Sequence, residues 1–295
     1  CIFCSILSGC APGSKSSSSE PPVYSPLRVL VPEAPGSDTL GSSPLTLDVS
    51  NITQGYFVAQ SDSADLVTSL QITAPTGVLY AYFIDPGENA VIPFTEGNGD
   101  YTVVGYQQIQ GDQYAALYSE ILTVELENDF LPFLYPNQYV NFSPDSEASK
   151  LALSMVSEDT TDVDALKQIY NYVVNNLTYD YDKAETVETG YLPDVDETLS
   201  TKTGICFDYA ALTTAMLRSC DIPCKLQIGY TGDIKHAWID VYIRSKGWVT
   251  GAVSFNGDSW SLMDPTFDSS ADSDDTEAIQ DYIGNADNYT VQFTR

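Results

Sequence analysis

The chain has a single histidine, His236, among its 295 residues, and only 12 lysines and arginines against 41 aspartates and glutamates. One imidazole cannot build a multi-histidine zinc site, and any histidine-dependent catalysis must run through that one position. A formal net charge of -29 repels phosphate backbones, which argues against a nucleic-acid partner. No apolar run in the sequence reaches the roughly 18–20 residues needed to span a bilayer. With 43% hydrophobic and only 18% charged residues, the composition also excludes wholesale disorder, collagen and coiled coil. At this length two domains are expected rather than one.

Cysteine is scarce too, at six. Cys1 to Leu7 is apolar and runs into Leu7-Ser8-Gly9-Cys10, a tetrad that resembles the bacterial lipobox. Residues 1–9 read as the remnant of a signal peptide, and Cys10 as the lipidated first residue of the mature protein. The expected location is extracellular, on the bacterial cell surface, with the membrane as a partner through the lipid on Cys10. Residues 10–26, rich in Ser and Pro, have little to bury and read as a flexible spacer. Beyond Cys10 only Cys206, Cys220 and Cys224 remain, too few for a disulfide scaffold, so the folds must stand on their cores.

Residues 27–128 read as short strands separated by turns. Val78 to Ile84 is β-rich, Gly97 to Asp100 is a turn, and Leu122, Val124 and Leu126 alternate with Thr123, Glu125 and Glu127. The expectation is an all-β sandwich of the immunoglobulin-like kind, with no catalytic residue of its own. Residues 129–144 contain Phe130 to Phe142, five aromatics and two prolines, too apolar for a free linker and expected to pack between domains; a ligand-stacking groove is the alternative. Residues 145–295 form the second domain. Val163, Leu166, Ile169, Tyr170, Val173, Val174 and Leu177 fall on one face of an amphipathic helix.

The chemistry concentrates in three segments of that domain. Thr203 to Leu212 opens a second helix, apolar on nearly all sides, that runs to about Arg218 and carries Cys206 in its first turn. Unpaired N–H groups and the positive dipole end favour thiolate at such a position, where cysteines titrate between roughly 3.5 and 7.5. A thiolate nucleophile needs an imidazole to steady it and to protonate the leaving group, and only His236 is available. After His236, Ala237, Ile239, Val241 and Ile243 alternate with Trp238, Asp240, Tyr242 and Arg244, the pattern of a strand with one buried face, His236 sharing the other with Trp238. Trp260 to Leu262 ends a further β segment just before Asp264, which could fix the imidazole tautomer. The bland alternative is a small buried cysteine and a hydrogen-bonded core histidine. Cys220 and Cys224 read as buried thiols rather than a disulfide, because Cys224 precedes a core strand over 225–230. A metal on Cys206, Cys220, Cys224 and His236 is disfavoured by the spacing. Asp268 to Glu277 lacks the spacing of a calcium loop and reads as solvated.

Taken together, G-I-C-F-D-Y-A, L-R-S-C-D-I-P-C-K, K-H-A-W-I-D-V-Y and M-D-P-T-F resemble the transglutaminase-like superfamily of papain-like thiol enzymes. The three segments agree in order, with 30 residues from Cys206 to His236 and 28 from His236 to Asp264. The resemblance implies an α+β domain in which a central helix bearing Cys206 packs on an antiparallel sheet bearing His236 and Asp264. It implies acyl transfer through a thioester, a protein or peptide substrate with peptide or isopeptide amides, and no cofactor. Tyr191 and Tyr179, in segments leading to the helix, are candidate oxyanion donors. Trp238, Trp248 and Trp260 are candidates for a substrate groove. A thioester meets water at about 55 M, so hydrolysis is expected over crosslinking in the absence of a defined amine pocket. Two other readings stay open: an inert transglutaminase-like binding or adhesion module, and a structural envelope protein.

Overall fold

The computed structural model of the chain describes residues 20–250, 253–255, 260–262 and 289–295. Cys10, Asp264 and the acidic stretch 268–277 lie outside the described residues.

The first half is all β. Its strands are β1 (Thr39–Ser42), β2 (Leu45–Asp48), β3 (Tyr56–Ser61), β4 (Thr68–Thr73), β5 (Leu79–Ile84), β6 (Asn89–Pro93), β7 (Gly99–Gln110) and β8 (Gln113–Val124). They form two four-stranded antiparallel sheets, in the orders β1-β2-β3-β6 and β5-β4-β7-β8. The two-residue period of a strand decides what is buried. In β5, Tyr80, Tyr82 and Ile84 point inward while Leu79 and Phe83 stay exposed. Leu47, Phe57 and Ile92 from the first sheet meet Leu70, Tyr82, Val103 and Leu122 from the second in one core.

The second half mixes helix and sheet. It runs through α1 (Glu147–Met155), α2 (Asp162–Asn176), β9 (Thr178–Tyr179), α3 (Tyr181–Thr186), α4 (Val195–Thr201), β10 (Thr203–Gly204) and α5 (Cys206–Ser219). Then follow β11 (Cys224–Thr231), β12 (Ile234–Ile243), β13 (Gly247–Val249), β14 (Val253–Phe255), β15 (Trp260–Leu262) and β16 (Tyr289–Thr294). β13, β12, β11 and β16 make one antiparallel sheet in that order, and β14 pairs with β15. The predicted amphipathic helix is α2, whose Leu166, Ile169, Tyr170 and Val173 are buried and whose first turn is capped by the Thr161 side chain. α5 is the central element: α1, α2 and α4 pack against it, as do β11 and β12. A helix enclosed this way has no polar face to spare, which is why Ala210, Ala211, Leu212, Ala215, Met216 and Leu217 follow one another.

Arg218 fixes the end of α5. Its guanidinium donates to the Cys224 carbonyl (3.0 and 2.8 Å), the Tyr135 carbonyl (2.7 Å) and the Arg295 carbonyl (2.9 Å). Burial pulls this guanidinium down to about 10, and four hydrogen bonds to carbonyls take the place of water. Asp221 then takes a left-handed conformation with φ at 61°, and the chain reverses through Pro223 so that β11 runs back along the helix.

The aromatic segment packs against residues of the second half. Phe130 sits 4.4 Å from Tyr242 and Phe133 sits 5.4 Å from Trp248, ring to ring, while Val140 and Phe142 join the core around α5. Phe130, Phe133 and Phe142 are buried, while Tyr135 and Tyr139 are half-buried.

Two expectations need correction. The spacer was expected to be flexible as far as residue 26, yet Glu20 to Pro26 is docked: the Asn128 side chain donates to the Glu20 carbonyl, and the Tyr24 amide donates to Asp221 Oδ2 at 3.2 Å. The strand after His236 was expected to bury one face only. β12 buries both, because Trp238 and Asp240 are covered as fully as Ala237 and Ile239. Polar residues on that second face, such as Asp240 accepting from Gln227 at 2.7 Å, satisfy one another internally and so mimic the pattern of a solvated surface.

Candidate active site

The site begins at the N-terminus of α5. Thr178 and Tyr179 pair in parallel with Thr203 and Gly204, and this short ladder sets the position at which the helix starts. Ile205 is the residue before the helix and Cys206 its first residue, half-buried, with unpaired N–H groups of the first turn around it. Asp208, the third helical residue, folds back so that Oδ2 accepts from the Ile205 amide at 2.8 Å. Gly204 makes room for this, since a Cβ there would lie 2.6 Å from the Asp208 Cβ.

Asp208 is fully buried, and the structure surrounds its carboxylate with donors. Besides the Ile205 amide, Oδ2 accepts from Lys183 Nζ at 2.8 Å, and Oδ1 accepts from the Tyr191 hydroxyl at 2.6 Å. Lys183 Nζ also donates to the Tyr191 oxygen at 2.7 Å. Burial opposes charge on Lys183, but its bonds to Asp208 and Tyr191 prevail and hold the ammonium above the ordinary lysine value. Burial and the Asp208 bond push the Tyr191 phenol up to about 12. The Tyr191 proton is therefore spent on Asp208, and the residue is a strut of the helix start rather than the oxyanion donor suggested from sequence. Tyr179 lies at the same place, its backbone in register with Gly204 and its ring 4.9 Å from Tyr181 and 6.4 Å from Tyr209.

His236 lies on β12, buried, in register with Gly229 of β11. β11 and β12 both pack against α5, so the strand that bears His236 lies on the helix that bears Cys206. The imidazole leaves the strand on the face shared with Trp238, whose ring lies 6.3 Å away and nearly parallel.

The three tryptophans fall in different places. Trp238 is fully buried and supports His236 rather than lining a groove. Trp248 pairs with Tyr242, six residues past His236 and so about 20 Å along the strand. It packs between Phe130, Phe133, Tyr242 and the Lys225 ammonium, which sits 4.1 Å over its ring, so it belongs to the join between the two halves and not to a groove beside Cys206. Trp260 opens β15, paired with Phe255. Asp264 follows two residues after that strand and lies outside the described residues.

Cys220 and Cys224 are free thiols, both buried. Burial pushes each up to about 12, the Asp221 charge adding to the effect at Cys220. Cys206 is the more accessible thiol of the three. Among the described residues no cluster of His, Cys, Asp and Glu could hold a metal ion.

The sequence singles out Cys206 and His236 but not what surrounds the thiol's turn. Asp208 had a signal, because an acidic residue three positions after a helix-capping position commonly bonds back to the cap amide. Lys183 had none, as 25 residues of chain separate it from Asp208.

Residues 149–251 match the family model described as Transglut_core, the transglutaminase-like superfamily. This stretch of the chain is a transglutaminase-like domain. It is 24% identical over 183 residues, 54% of this chain, to the uncharacterized protein YebA of Bacillus subtilis, covering 25% of that protein. It is 40% identical over 62 residues, 19% of this chain, to the UPF0252 protein MJ1282 of Methanocaldococcus jannaschii, covering 18% of it. The chain thus spans a quarter or less of these curated relatives. Among solved structures, a candidate cysteine protease from Cytophaga hutchinsonii is similar at 17% identity and a TM-score of 0.39, over 82% of this chain and 79% of that one.

Proposed function

We propose that the protein is a cell-surface thiol hydrolase that cleaves peptide or isopeptide amides, with Cys206 as nucleophile, His236 as general base and acid, and Asp264 orienting the imidazole. The observation that supports this reading is Cys206 as the first residue of a buried helix that packs against the strand bearing His236, inside a transglutaminase-like domain. Cys206 attacks the amide carbon. His236 protonates the departing amine, leaving a thioester, and then takes a proton from water so that hydroxide equivalents release the acid and restore the thiol. The backbone N–H groups at the start of α5 are suited to holding the oxyanion. Hydrolysis is favoured over transfer because Trp238 is enclosed in the core and Trp248 packs against Phe130 and Phe133, so neither offers an open amine pocket.

The paired sheets support an immunoglobulin-like reading of the first half. Leaving out β1, strand order β2-β3-β6 against β5-β4-β7-β8 is the Greek-key arrangement with the fourth strand moved to the second sheet. This half is proposed to present substrate or hold the enzyme away from the membrane, with anchoring through a lipid on Cys10.

Incubation with peptide and isopeptide amide libraries, with and without a labelled primary amine, tests the reading by product mass. Hydrolysis that is lost in Cys206→Ala and in His236→Ala is expected, by at least a thousandfold given the cost of losing one member of a nucleophile–base pair. Amine incorporation outpacing hydrolysis at millimolar amine would reassign the reaction to transfer.

A further inference from the structure

We propose that Lys183, Tyr191 and Asp208 form a charge-compensated brace beneath the Cys206 turn, in which Lys183 is the positioning residue that cancels the Asp208 charge so that an anion on Cys206 is tolerated. The proposal rests on the reading of Cys206 as the nucleophile. Asp208 does a geometric task that needs a carboxylate or amide oxygen: it holds the Ile205 amide at 2.8 Å and thereby the backbone that presents Cys206. An ionised carboxylate there brings a second effect, since it sits two positions from the thiol on the same helical turn, where a like charge opposes a thiolate.

The structure supplies the counter-charge from another element. Lys183 reaches from α3 to within 2.8 Å of Asp208 Oδ2, and its side chain keeps 30% of its exposure while the Asp208 side chain keeps none. Its ammonium also lies 4.4 Å from the Tyr191 ring centre while bonding the Tyr191 oxygen. Tyr191 keeps its proton and donates it to Oδ1, and its ring packs edge-on at 6.3 Å from Phe207, the neighbour of Cys206. Carboxylate, ammonium and phenol together carry no net charge, so the turn is held by an ionic group without paying for it at the thiol. The other titratable groups around the start of α5 are Tyr179 on β9, Asp180 capping α3 at the Lys183 amide, Tyr209 on α5 and His236 on β12.

The experiment is the alkylation rate of Cys206 by iodoacetamide, followed by peptide mass at pH 7 and pH 10 in the full chain, with circular dichroism as the check on folding. Lys183→Met should alkylate about tenfold more slowly than the parent at pH 7 and equally fast at pH 10, a tenfold change corresponding to one pH unit of displaced ionisation. Lys183→Arg should restore the parent rate. Asp208→Asn should be no slower than the parent at pH 7, and Lys183→Met combined with Asp208→Asn should return to within about twofold of it. A purely structural brace would slow both single variants at both pH values, and that result overturns the proposal. So does a folded Lys183→Met whose rate at pH 7 equals the parent's. Should Asp208→Asn not fold, the Lys183 pair alone decides. A parent in which Cys206 alkylates no faster than Cys220 and Cys224 overturns the nucleophile reading, and the brace with it; a fast Cys206 indifferent to Lys183 overturns the brace alone.

Discussion

Asp221 shows how one buried carboxylate can serve the fold at a cost. It is almost fully buried, Oδ2 accepts from the Tyr24 amide and from Arg244 Nη2 at 3.1 Å, and burial pushes its carboxyl up to about 6 against these bonds. Its native proton affinity exceeds that of the unfolded chain, so the folded state binds a proton more readily between pH 4 and 6. Stability from this group therefore falls as pH rises through that window and is flat above it. Asp221→Asn removes the effect. The stability difference between Asp221→Asn and the parent should move in the variant's favour by about 2–3 kcal/mol from pH 4 to pH 7, measured by urea denaturation at each pH. A difference that does not change with pH, or that moves toward the parent, would contradict the burial argument.

At the scale of the element, periodicity was the reliable guide and partnership was not. The 3.6-residue pattern of α2 and the all-round apolar character of α5 were legible, because each is set by how a local segment meets a core; the alternation after His236 located a strand but not its second buried face. What local pattern cannot carry is which distant segment completes a site. Lys183 meets Asp208 across a helix, a loop and another helix, and β16 returns from far along the chain to pair with β11. The same limit applies to Trp248, a groove candidate from the sequence: only the pairing of β13 with β12 shows it opposite Tyr242, at the far end of the strand from His236. Glycine marks one of these hidden joins. β16 shifts register opposite Gly229, where a Cβ would lie 1.9 Å from the Thr290 carbonyl and 3.0 Å from Trp238. Gly229→Ala should therefore lift β16 from the sheet and cost about 2 kcal/mol, typical of overpacking. Faster amide exchange over 290–295 is the expected readout; unchanged exchange would mean that the edge can shift to make room.

At the scale of the molecule, the two halves share side chains as well as a linker. Arg295 is the clearest case: its guanidinium donates to the Tyr82 hydroxyl at 2.9 Å and the Tyr139 hydroxyl at 3.3 Å. The same group lies 4.5 Å from the Tyr80 ring, 4.8 Å from Tyr82 and 4.2 Å from Tyr139. Cation–π contacts of this kind gain from desolvation. The backbone of Arg295 meanwhile pairs with Leu226 of β11, so one residue ties the core of the first half to the β13-β12-β11-β16 sheet. Arg295→Met keeps the stem and removes the charge. It should lower stability by about 2–3 kcal/mol, the cost of losing hydrogen bonds to a charged group, and the variant should melt in two transitions where the parent is expected to melt in one. A single transition at the parent temperature would show that the halves are joined by Phe130, Phe133 and Trp248 instead.

The account stands on Cys206 as the reactive thiol of the chain. Its most direct test is competitive labelling of the folded protein with substoichiometric iodoacetamide near neutral pH, with the three thiols resolved by peptide mass. Cys206 opens a helix and is half-buried, whereas Cys220 and Cys224 are enclosed and pushed up to about 12, so label should accumulate on Cys206 at least tenfold ahead of the other two. The His236→Ala variant should lose most of that lead. Label appearing first on Cys220 or Cys224, in protein shown to be folded, would contradict the assignment of the nucleophile and the mechanism built on it.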